Sequence, residues 1–238
     1  QPASMKKIIS IARKYKIFVV EDAAPAIGAK FSGKKCGTFG EFGAFSFQGA
    51  KLLVSGEGGM LVTNNYQLYK KALKISNQGR NEKKTFVIDS EGVKFKMSNI
   101  QAALALAQLE RISELIALKR RIFEWYHHEL KDVKNIFLNI ENANTESIYW
   151  MTSIYLNKKV NCSRKFFIDK LYDYKIDTRP VFPELSSFNI WGKYYKKNKY
   201  LNSSLIGERA INLPSGVCLS KNDIVNVCNK IKLILKKV

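Results

Sequence analysis

Residues 6–22, "KKIISIARKYKIFVVED", constrain the fold more than any other stretch. Apolar side chains recur at Met5, Ile8, Ile9, Ala12 and Tyr15, the stripe of an amphipathic helix with Ser4 as its N-cap. The pattern then changes to a continuous apolar run, "IFVV", that ends in Glu21 and Asp22. A short run of this kind reads as a buried parallel strand. "GAFSF" and "GMLVTN" read as two more strands, and a helix over 66–76 follows. Alternating helices and strands predict an α/β sheet.

The character changes at Ser98. "SNIQ" has the form of a capping box, Ser98 with Gln101 three residues on, opening a helix to about Leu130. A helix this long commonly bridges two domains. Beyond it, "YWMTSIYL" reads as a strand, "SRKFFIDKLYDYK" as a helix and "INLP" as a short strand. "SKND" is a second capping box, Ser220 with Asp223, starting a terminal helix with Ile224, Val227, Cys228, Ile231 and Ile234 facing inward. The expected organisation is a sheet-based large domain over 1–97, a connecting helix over 98–131 and a small α+β domain over 132–238.

Composition narrows the function classes. Lys+Arg number 40 against 20 Asp+Glu, a net charge of +20, which invites a nucleic-acid reading. The lysines are spread along nearly every segment, however, without the arginine and aromatic interleaving that grips bases. The expectation is no specific nucleic-acid partner. No apolar run is long enough to cross a bilayer, so a membrane role is not expected and the chain reads as cytoplasmic. Cys36, Cys162, Cys218 and Cys228 show no metal-type spacing, and with two histidines, adjacent on a helix end, no metal site is expected.

One lysine stands apart. Lys51 lies in "FSFQGAKLLVSGEGGM", 45–60, among small and apolar residues and just before a glycine loop. A lysine against apolar surface loses the water that stabilises its charge, and a neutral amine near a carbonyl is a nucleophile. Gly56, Gly58 and Gly59 let backbone approach a ligand closely. Asp22 ends its strand where ligands bind in open α/β sheets, beyond the strands' carboxyl ends. A carboxylate there suits a pyridinium proton, and Ser46, on the strand before Lys51, suits a phosphate oxygen. Strand acid, strand serine, lysine and glycine loop fit one cofactor, pyridoxal phosphate.

The segment "VVEDAAPAIGAKFSGKKCGTFGEFGAFSFQGAKLLVSGEGGMLVTNN" resembles the signature of the DegT/DnrJ/StrS sugar aminotransferases, pyridoxal-phosphate enzymes of aminotransferase fold type I. The likeness continues through "FKMSNIQAALALAQLERI", "YWMTSI", "DTRPVFPEL" and "INLPSG" and covers nearly the whole chain. Within the family the chain is most similar to the GDP-perosamine synthase type, which aminates C4 of a nucleotide-linked 4-keto-6-deoxy sugar for surface polysaccharide. The resemblance implies that Lys51 carries the cofactor covalently and shuttles protons, that Asp22 pairs with the pyridine nitrogen and that Ser46 binds the phosphate. It also implies glutamate as amino donor and a homodimer with shared sites.

Three departures qualify the likeness. Pro25 stands where many members have glutamine or glutamate near the ring. Lys94 stands where many have an asparagine that reaches the cofactor phosphate of the neighbouring subunit, a role an ammonium can fill as a point charge, with a solvated surface lysine as the equal alternative. Arg179, in "DTRP", is not a departure; it reads as a surface or capping residue, with a substrate carboxylate or phosphate as the alternative partner. Finally, family members extend upstream of Gln1, so the expected large domain is partial. An inactive remnant and a basic regulatory protein stay open as alternatives.

Overall fold

The computed structural model describes residues 1–194 and 201–238. In chain order the first elements are α1 (Met5–Tyr15), β1 (Val20–Asp22), β2 (Lys30–Phe31), β3 (Lys34–Lys35), β4 (Phe42–Ser46), β5 (Gly59–Val62) and α2 (Tyr66–Ser76). Helices α3 (Asn99–Glu110) and α4 (Ile112–Leu130) come next. The rest comprises β6 (Ile136–Leu138), β7 (Thr145–Glu146), β8 (Ser153–Leu156), α5 (Arg164–Asp173), β9 (Arg179–Pro180), α6 (Leu201–Arg209), β10 (Ala210–Asn212) and α7 (Lys221–Leu235). Two compact units result, 1–116 with 141–150, and 117–140 with 151–238. The division falls inside α4, between Ile116 and Ala117. Residues 141–150 belong to the first unit because β7 pairs with β2, where Lys30 and Glu146 form an ion pair of 2.9 Å.

In the first unit the main sheet has the order β1-β4-β5, with β1 parallel and β5 antiparallel to β4. The Ile17–Asp22 run is not the buried strand its composition suggests. Only Val20–Asp22 is strand, and Val20 is 64% exposed. Among the described residues β1 pairs with β4 alone, so it forms the sheet's edge, where one flank lacks a neighbouring strand. One residue earlier, Val19 donates its N–H to Glu41 Oε2 (2.6 Å) and its carbonyl accepts from the Glu41 N–H, an arrangement outside the strand ladder. Helix α1 likewise buries Met5 and Ala12 but leaves Tyr15 exposed.

The expected single helix over 98–131 is two. The Ser98–Gln101 capping box closes the start of α3 with both arms formed. At Arg111 the backbone leaves α geometry (φ −99, ψ 8), and its N–H turns back to the Gln108 carbonyl, a tighter i→i−3 bond. Its guanidinium then grips Glu114 through two bonds of 3.0 and 2.9 Å in the first turn of α4. The sequence of α3 is apolar on every side, and Ile100, Leu104 and Leu106 stay exposed.

In the second unit, β6-β8-β10-β9 form an antiparallel sheet. Its core joins Ile154, Leu156 and Ile211 of the sheet to Ile122 and Tyr126 of α4 and Phe167 and Leu171 of α5. Helix α7 opens on the Ser220–Asp223 capping box and buries all five residues its periodicity predicts. Periodicity succeeds here because the helix packs on a complete core.

Candidate active site

The candidate site is built on the carboxyl end of the first unit's sheet. In the parallel register Asp22 lies opposite Ala44 and Glu21 opposite Gly43. Side chains alternate along a strand, so Asp22, Ala44 and Ser46 share one face, and Glu21, Gly43 and Phe45 the other. The second face is closed. Glu21 is buried and accepts the backbone N–H groups of Gly37 (2.7 Å), Phe39 (2.5 Å) and Gly40 (2.8 Å). A side chain at Gly43 would meet the Gly37 carbonyl oxygen at 2.0 Å, so the loop needs glycine there to approach. The two adjacent acids therefore divide the work: Glu21 holds a loop, and Asp22 faces outward.

On the outward face, Asp22 is exposed, and its Oδ1 accepts from the Ala24 N–H at 3.1 Å. Its other oxygen has no partner among the described residues. Ser46, half-buried, accepts from the Gln48 N–H at 3.3 Å, and its own proton has no acceptor among the described residues. One register step and one strand separate their Cα atoms, about 8 Å. The pair offers one anionic acceptor and one hydroxyl donor on the same surface.

Lys51 sits on the loop that leaves this end of the sheet after β4 and returns as β5. The loop is closed at its base by Phe47 N–H to the Gly58 carbonyl and Ser55 N–H to the Phe47 carbonyl, each 2.9 Å. Gly56 (φ 83) and Gly58 (φ 121) occupy backbone conformations that side chains resist, which explains the glycine run. Gln48 shapes the turn below the lysine: its Oε1 accepts from the Ala50 N–H and its carbonyl from the Lys51 N–H. The Lys51 ammonium lies 4.3 Å from the centre of the Trp150 ring, and Trp150 Nε1 donates to the Ala50 carbonyl at 2.7 Å.

Comparison of the whole chain with known proteins shows its family. The model of the "DegT/DnrJ/EryC1/StrS aminotransferase family" matches residues 1–232. The chain belongs to this family. It is 36% identical over 230 residues to GDP-perosamine synthase of Escherichia coli O157:H7, covering 97% of this chain and 62% of that protein. It is 34% identical to GDP-perosamine synthase of Vibrio cholerae, covering 98% of this chain and 63% of that protein. The chain thus spans less than two thirds of the length of these relatives. Among solved structures, a DegT DnrJ EryC1 StrS aminotransferase from Brucella abortus superposes with a TM-score of 0.87 at 26% identity, covering 98% of this chain and 61% of that one. Helicobacter pylori PseC shares the fold, with a TM-score of 0.93 at 20% identity over 100% of this chain and 64% of its own.

Two other residues have a part in the DegT-family resemblance. Lys94 is exposed and follows α2, held by an antiparallel bridge to Asn77. Arg179 is exposed on β9, opposite Asn212. Two residues escaped the sequence reading. Trp150 gave a signal only as an aromatic before a strand in "YWMTSI". Glu21 gave one only as the first of two acids. No group of metal-ligating side chains occurs among the described residues, and no described helix is long and apolar enough to cross a membrane. The four cysteines are free thiols, and burial, then the Glu21 carboxylate, raises the Cys36 thiol above its ordinary pKa.

Proposed function

We propose that this chain carries the cofactor-anchoring part of a pyridoxal phosphate-dependent aminotransferase that aminates a nucleotide-linked 4-keto-6-deoxy sugar, with glutamate as amino donor. The supporting observation is the face shared by Asp22 and Ser46 at the sheet end that the Lys51 loop closes. These donors suit the group: an open carboxylate oxygen for a pyridinium N–H, a free hydroxyl proton for a phosphate oxygen and an amine for a carbonyl carbon. Pyridoxal phosphate, when bound, supplies the electron sink that makes the donor's α-proton acidic. Lys51, as a neutral amine, would hold the group through its carbonyl carbon, with that oxygen leaving as water, and once free would take a proton from the donor carbon and deliver one to the acceptor. Asp22 would keep the ring nitrogen protonated by accepting its hydrogen bond. Ser46 would orient the phosphate, and the Lys94 ammonium would add a point charge toward a second copy's cofactor in a homodimer.

The names of the Escherichia coli and Vibrio cholerae relatives favour a GDP-linked sugar, and with it a cytoplasmic step of surface-polysaccharide synthesis. The test is transfer of 15N from labelled glutamate to a GDP-linked 4-keto-6-deoxy sugar, read by mass spectrometry. The expected product is a 15N amino sugar that disappears in Lys51→Ala. Transfer that survives Lys51→Ala would refute the mechanism. Cofactor binding without transfer would point to a remnant that keeps the anchor alone.

A further inference from the structure

The setting of Lys51 holds one more device. The Trp150 ring is fixed on both sides of the lysine. Its Nε1 donates to Ala50, the residue before Lys51, at 2.7 Å. Leu52, the residue after, is buried in the apolar cluster of Ala29, Cys36 and Ile148 against which Trp150 packs. The ring therefore keeps its place, and the flexible lysine stem brings its ammonium onto the π-face at 4.3 Å. A carboxylate at this point would bind the amine strongly and keep it protonated. A π-face attracts a cation more weakly and accepts no proton, so it releases the amine readily.

We propose that Trp150 is a positioning residue that receives the Lys51 ammonium whenever the amine is not bonded to a carbonyl partner, holding it beside the site. Its place in a reaction cycle rests on the pyridoxal phosphate reading; the contact itself belongs to the cofactor-free chain. An amine that must leave and regain one carbon in every turnover needs such a resting place, since a lysine side chain otherwise spreads over many rotamers.

The experiment compares acetylation of Lys51 by an N-hydroxysuccinimide ester in the whole cofactor-free chain, read by peptide mass spectrometry. Exposed Lys83 serves as internal reference. Trp150→Leu removes both the π-face and the N–H; Trp150→Phe keeps the face and loses the N–H. Lys51 should react about fivefold faster in Trp150→Leu and close to wild type in Trp150→Phe. A merely structural role predicts equal acceleration in both, because both lose the bond to Ala50, and that result overturns the proposal. So does an unchanged rate in Trp150→Leu. Should Trp150→Leu fail to fold, Trp150→Met makes the same comparison. Borohydride reduction of the wild-type chain with pyridoxal phosphate separates the two readings. Acceleration without a mark on Lys51 removes the aminotransferase reading and leaves the contact; a mark without acceleration does the reverse.

Discussion

Raising the pH should stabilise this protein through one buried amine. Lys119, on α4, is 7% exposed and donates to the Ser215 carbonyl at 2.5 Å. It helps fix the turn after β10, where Tyr126 donates to the Pro214 carbonyl and Ser215 Oγ accepts from the Thr152 N–H. Desolvation by burial brings the amine from 10.5 down to about 8. Between those values the unfolded chain holds the proton and the folded chain does not. Stability therefore rises with pH through this window, is fully gained above the unfolded value, and is lost as pH falls through the folded one. From pH 7.5 to 9.5 the gain comes to about 2 kcal/mol, at 1.36 kcal/mol per pKa difference of one. Urea denaturation of wild type and Lys119→Met at both pH values isolates the effect, since the other lysines titrate alike in both. The wild type should gain about 2 kcal/mol relative to the variant. Parallel pH dependences would refute the reasoning, and with it the desolvated state of this amine.

Three further outcomes follow from the same structure. Glu21→Gln weakens the acceptor of three backbone N–H groups and should cost about 2–3 kcal/mol in chemical denaturation, whereas Asp22→Asn, exposed, should cost little and impair cofactor binding. Ser98→Ala and Ser220→Ala each open a capping box and should each lower stability by about 1 kcal/mol, additively because the sites are independent. Burial pushes the Cys228 thiol up to about 12, so a disulfide reagent at neutral pH should modify exposed Cys218 in the native chain and Cys228 only after unfolding.

The readable parts of the sequence were those that depend on local chemistry. The capping boxes at Ser98 and Ser220 formed as spelled, because their partners lie three residues away. The inward set of α7 followed its periodicity, because one complete core receives it. Tertiary partners decided the rest. The apolar run at 17–20 carries the composition of a buried strand, yet Val20 lies on a sheet edge where no described strand covers it. The break at Arg111 needs no glycine or proline and left no mark in the pattern. At the site, Asp22, Ser46 and the loop of Lys51 were legible because strand order and period place them. The contact of Trp150 with this loop was not, since a hundred residues separate it from Ala50 and only the fold brings its ring to the lysine.

The most direct measurement of the central claim is covalent. The whole chain is incubated with pyridoxal phosphate, reduced with borohydride, digested and sequenced by mass spectrometry. A phosphopyridoxyl group on Lys51, absent from Lys51→Ala and weakened by Asp22→Asn, is the predicted result. Labels scattered over surface lysines at the same low level, with Lys51 no richer than the others, would contradict the account.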